Sequence, residues 1–99
     1  MTRYGPAGIR TFRHKGLEAC FRTGTTRGIQ PAHKQRLSRQ LFALNNAAGP
    51  QDMNVPGWRL HPLQGKLQEH WSVTVNGNWR LTFKFEDGDA ILIDYQDYH

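Results

Sequence analysis

The chain has 99 residues, 37% hydrophobic and 21% charged, which supports one small folded domain and excludes a multidomain enzyme. Mean hydropathy is −0.70, and no apolar run approaches the roughly 18 residues of a membrane-spanning helix. The net charge of +5 is unevenly laid out: residues 1 to 49 hold nine Lys or Arg against the single acid Glu18, and residues 50 to 99 hold four against seven acids, so the positive field of the first half fits a polyanionic partner.

The polar, basic start from Met1 to Arg13 lacks the apolar stretch of a secretory signal, and the lone Cys20 can form neither an intrachain disulfide nor a Cys-based zinc site. Both point to a reducing, cytoplasmic setting. Gly8 to Arg13 suits a first strand, with Ile9 and Phe12 slightly out of phase. Leu17 and Phe21, four apart with Cys20 beside them, predict a short helix over Gly16 to Arg22, stopped at Gly24. A turn-rich connection, Thr23 to Gln30, follows. Pro31 suits the first turn of a second helix, in which Leu37, Leu41, Leu44 and Ala48 repeat at helical spacing until Gly49-Pro50; Arg36 and Arg39 fall on its solvent side.

After the loop Gln51 to Gly57 the period changes to two. Trp58 and Leu60 point one way, Arg59 and His61 the other; Trp71, Val73 and Val75 line the next strand, and Trp79, Leu81, Phe83 and Phe85 the one after. Asn76-Gly77 predicts a tight hairpin between them, since its central residues tolerate positive φ, and Asp87-Gly88 predicts a second, leading into Ile91, Ile93 and Tyr95. The fold class is therefore α+β, with two N-terminal helices packed on one face of a mostly antiparallel sheet. The other face, bearing Arg80, Thr82 and Lys84 on one strand and Arg59 and His61 on another, is expected to be polar and solvated. His14, His33 and His70 are expected at the surface, and Cys20 and the three tryptophans in core packing.

The chain finishes Asp94-Tyr95-Gln96-Asp97-Tyr98-His99, a concentration of acid, phenol and imidazole. RNA can be cut without a metal when a base takes the ribose 2′-OH proton, a cation stabilises the phosphorane, and an acid protonates the leaving 5′-oxygen. His61, Asp97 and His99 are candidate proton carriers for this chemistry, and Arg80 is the cation. Metal ligation by Asp94, Asp97 and His99 is the alternative use, disfavoured because residues three apart in a strand project to opposite faces.

The segments Phe12-Arg-His-Lys-Gly-Leu17, Arg59-Leu-His-Pro-Leu63, Trp71-Ser-Val-Thr-Val-Asn76, Asn78-Trp-Arg-Leu-Thr-Phe83 and the terminal Asp94 to His99 occur in an order and spacing that closely resemble the HigB toxins of the RelE/ParE superfamily. The likeness covers residues 9 to 99 and leaves residues 1 to 8 as an extension. It implies a RelE-like fold and a ribosome-dependent mRNA endonuclease acting in the 30S decoding site, needing no cofactor and restrained by a HigA-like helix-turn-helix antitoxin. It places active-site roles on His61, Arg80, Asp97, Tyr98 and His99, of which Tyr98 is supplied by the resemblance alone. Arg36, Arg39, Gln64, Lys66 and Lys84 are the candidate RNA- and ribosome-binding residues. Relatives carry lysine where this chain has Gln64, which can hydrogen-bond a phosphate but cannot neutralise it; Lys66 is the nearest replacement. Two rival readings remain: the same fold acting as a ParE-like gyrase inhibitor without catalysis, and a nucleic-acid-binding module without catalysis. Neither needs the terminal acid, phenol and imidazole.

Overall fold

In the computed structural model, which describes residues 8–98, helix α1 spans Lys15–Thr23 and is closed at both ends by local chemistry. His14 Nδ1 accepts from the Leu17 N–H at 2.9 Å, so His14 is a helix cap and not a free surface residue. At the other end Gly24 adopts a left-handed φ of 79° and returns its N–H to the Cys20 carbonyl. Pro31 opens a 3-10 turn, Pro31–His33, that runs into α2 (Lys34–Asn45). Helix α2 stops short of Ala48. The Asn46 side chain turns back to the Phe42 carbonyl and Asp52 accepts from the Ala48 N–H, so Ala47 reaches the core while Ala48 stays exposed.

The sheet holds β1 (His61–Pro62), β2 (Trp71–Asn76), β3 (Trp79–Glu86) and β4 (Asp89–Asp97) in chain order, every pair antiparallel. The strand expected from Trp58 shrinks to two residues, and Arg59 just before it takes a φ of 55°, outside the extended region. Its alternation survives: Trp58 and Leu60 pack half-buried on the core, while Arg59 and His61 are exposed. The first hairpin turns on Gly77-Asn78, one residue later than expected, because a bulge shifts the register between Thr74 and Asn76. The second turns on Asp87-Gly88 as predicted.

Residues 8–13 do not make a regular strand. Ile9 and Phe12 form isolated parallel bridges to Ala90 and Ile93. These two apolar residues are three apart, so both can face the core only along an irregular edge, and β4 supplies one through a bulge at Leu92, whose φ is 54°. Gly8 accepts from the Ala90 N–H and so belongs with the domain; residues 1–7 and the expected site residue His99 lie outside the described residues.

Leu17 and Cys20 of α1, Leu37, Leu41 and Leu44 of α2, Met53, and Val73, Val75, Leu81, Phe83, Ile93 and Tyr95 of the strands form one core. Both helices therefore cover the same face of the sheet. Gln40 and His33 are among the polar residues buried in the fold. Gln40 donates to the Thr74 carbonyl at 2.9 Å, and His33, contrary to expectation, is buried with Nδ1 2.6 Å from the Tyr95 hydroxyl. That hydroxyl also accepts from the Gln30 N–H at 3.4 Å. Trp79 stacks on the Tyr95 ring at 4.6 Å.

Burial holds the Tyr95 phenol above its ordinary value near 10; the Gln30 N–H opposes the rise and the Asp97 carboxylate adds to it. The unfolded chain thus loses this proton at a lower pH than the folded one, and stability is lost as pH rises from about 10 through the folded value. Denaturant melts taken from neutral pH to about 11 should show this decline, and Tyr95→Phe should flatten it. At neutral pH the same variant should be less stable by about 1–3 kcal/mol, because His33 is left with a buried unpaired nitrogen.

Candidate active site

Strand β3 sends Trp79, Leu81 and Phe83 to the helices and Arg80, Thr82 and Lys84 to the opposite face. The register then fixes what stands beside them. Thr74, Arg80 and Gln96 form one cross-strand row, and His61, Ser72, Thr82 and Asp94 form the next. Tyr98 continues the alternation of Asp94 and Gln96, its N–H bonded to the Asn78 carbonyl at 2.8 Å. One face of the sheet thus brings together His61, Arg80 and Tyr98.

This face is not uniformly solvated. Ser72 and Thr82, in the middle of their row, are buried. His61 remains exposed, its Nδ1 3.4 Å from the Arg59 carbonyl. Arg80 is half-buried and donates through Nη1 to the Gly77 carbonyl at 2.9 Å, which tethers one edge of the guanidinium and leaves the other able to hold phosphate oxygens. Asp94 accepts from the Tyr95 N–H at 2.9 Å and from Gln96 Nε2 at 2.5 Å.

The remaining sequence-derived candidates are dispersed. Gln64 and Lys66 are exposed in the loop after β1, Lys66 within the 3-10 turn Gly65–Leu67. Lys84 is half-buried, 3.6 Å from Glu69. Arg36 and Arg39 are exposed on α2, behind the sheet. Asp97 pairs in register with Trp79 and so faces the helix side, away from Arg80. Asp94 and Asp97 point to opposite faces, as expected, and among the described residues no three His, Cys, Asp or Glu side chains are grouped as metal ligands.

Sequence reasoning missed the part played by Ser72 and Gln96, which the period of two would have found had it been carried from β3 into both neighbours. It also put His70 at the surface. His70 is buried just before β2, with Nδ1 3.3 Å from the Gln68 carbonyl and, among the described residues, no partner for Nε2.

Two helices cover one side of a four-stranded antiparallel sheet, and His61 and Arg80 stand on the other. The chain is similar in fold to a solved mutant of YafQ from E. coli, with a TM-score of 0.51 and 14% identity over 90% of this chain and 92% of that one. Residues 10–99 match the model of the HigB-like toxins, described as the RelE-like toxin of the type II toxin–antitoxin system HigB. The sequence is 41% identical over 91 residues to Endoribonuclease HigB of Proteus vulgaris, covering 92% of this chain and 99% of the relative. It is 33% identical over 90 residues to Toxin HigB-1 of Vibrio cholerae serotype O1, covering 89% and 94%. The chain belongs to the HigB-like family of type II toxins.

Proposed function

We propose that this toxin is an endoribonuclease that cuts messenger RNA on the ribosome by driving attack of a ribose 2′-OH on the adjacent phosphate, without a metal ion. The observation that carries this reading is the placement of His61 and Arg80 in neighbouring rows of the sheet face opposite the helices. A proton acceptor and a permanent cation on one face are what in-line attack and a dianionic phosphorane require. The name of the Proteus vulgaris relative supports the same activity. A gyrase inhibitor has no use for that pairing.

In this reading His61 and His99 share proton transfer, Arg80 holds the phosphorane and Tyr98 seats a base. Asp97 acts from the rim, around the end of β4. Gln64, Lys66 and Lys84 meet the message, and Arg36 and Arg39 meet ribosomal RNA. Type II membership implies an antitoxin; we take it to be of the helix-turn-helix HigA kind, acting with the toxin in the cytoplasm. No helix among the described residues is long and apolar enough to cross a membrane.

Incubation with translating ribosomes and end-group analysis of the cut message is the test. Internal attack must leave a 2′,3′-cyclic phosphate or 3′-phosphate and a 5′-hydroxyl, and naked RNA should be cut feebly. Products carrying a 5′-phosphate would refute the mechanism. Intact message together with blocked gyrase supercoiling would replace the activity altogether.

A further inference from the structure

Ser72 stands directly across the β1–β2 ladder from His61, a position at which cross-strand side chains touch. It is wholly buried although it belongs to the polar face. Its Oγ lies 3.4 Å from His61 Nδ1 and 3.5 Å from Nε2. Near-equal separations of this length set the hydroxyl over the face of the imidazole, because an oxygen in the ring plane at those distances from both nitrogens would overlap Cε1. Ser72 therefore occupies neither nitrogen's in-plane direction.

Nδ1 has a second neighbour, the Arg59 carbonyl at 3.4 Å. A carbonyl only accepts, so in this contact it is Nδ1 that donates a ring proton. Arg59 holds its φ of 55° at this point, a conformation that a non-glycine residue keeps only where its surroundings impose it.

We infer that Ser72 is a positioning residue for His61. Its hydroxyl holds the plane of the imidazole so that Nδ1–H faces the Arg59 carbonyl and Nε2 is presented as the base. Resting on the endoribonuclease reading, the step is balanced. The Nε2 lone pair takes the 2′-OH proton, the freed oxygen bonds to phosphorus, and the 5′-oxygen departs with a proton from the general acid. Without the hydroxyl the ring turns, and the bare nitrogen is no longer held toward the substrate.

The test uses the full chain as wild type, Ser72→Ala, Ser72→Thr, His61→Ala and the double variant Ser72→Ala with His61→Ala. Ser72→Ala should fold, since it removes one oxygen. It should lower kcat about 10-fold with KM unchanged. Ser72→Thr should restore most of the rate. In the His61→Ala background the same change should have no further effect, because the two residues act as a unit. Nitrogen-15 NMR of the His61 ring, read without RNA, should show the Nδ1–H tautomer in the wild type and a mixture in Ser72→Ala. A tautomer ratio indifferent to Ser72→Ala, or an equal loss of rate in both backgrounds, overturns the inference. Because the spectrum needs no cleavage, a chain that cut no RNA would sink the endoribonuclease reading without touching this result.

Discussion

Arg80→Ala should abolish toxicity while the protein stays folded. The guanidinium sits on the sheet face away from the core, and its neighbours Trp79 and Leu81 carry the packing on the other side. Truncation removes the hydrogen bond to the Gly77 carbonyl, a loss of roughly 1 kcal/mol at a half-exposed site. In catalysis the same group is asked to meet two negative charges on a phosphorane, and deleting one preorganised contact of that kind costs about 100-fold to 1000-fold in rate. Arg80→Lys should fall between, because it keeps the charge and loses the planar fork that holds two oxygens at once. Growth arrest at matched expression, the rate of message cleavage and a thermal melt are the three measurements. A variant as toxic as the wild type at equal protein level would remove Arg80 from the chemistry.

That Arg80 and His61 share a face was within reach of the sequence because it depends on one local rule, the period of two, applied within each strand. What the rule could not supply is where each strand begins and how it is set against its neighbour. The bulge between Thr74 and Asn76 moved the hairpin centre to Gly77-Asn78, and β1, after the positive φ at Arg59, is only two residues long; both are settled by tertiary packing and not by residue preference. Asp97 illustrates the cost of reading a cluster by proximity. It lies beside Tyr98 in sequence, yet the register that brings Gln96 next to Arg80 turns Asp97 to the helix side.

The buried histidines were illegible for a different reason. His33 owes its place to a hydroxyl 62 residues away, and His70 to the loop that closes over it through the hydrogen bond from the Leu63 N–H to its carbonyl. A histidine that can titrate, cap, bond or pack carries no local mark of which it does. Ser72 is the plainest case. It stands on the polar face, where a hydroxyl ordinarily meets solvent, but an imidazole lies across it.

Phe83→Ala should cause the largest loss of stability of any change argued here, and by a route opposite to that of Arg80. Phe83 lies on the same strand three residues on, wholly buried, in contact with the helix-side core and edge-on to Phe85 at 5.9 Å. Strand β3 is hydrogen-bonded on both sides, so the backbone cannot close in on the space left behind. Removing a phenyl ring from such a site costs about 3–5 kcal/mol, a large share of the roughly 5–15 kcal/mol that holds a domain of this size together. At roughly 4–8 °C per kcal/mol, the melting temperature should fall by at least about 12 °C. Phe83→Leu, which keeps most of the volume, should lose less than about 1.5 kcal/mol. Toxicity should decline in Phe83→Ala as well, but in proportion to the folded fraction, with the cleavage rate per folded molecule unchanged. Arg80→Ala should show the reverse, an intact melt and a collapsed rate per folded molecule. Equal melting temperatures for wild type and Phe83→Ala would mean that the ring is not the centre of the core that the strand alternation assigns to it.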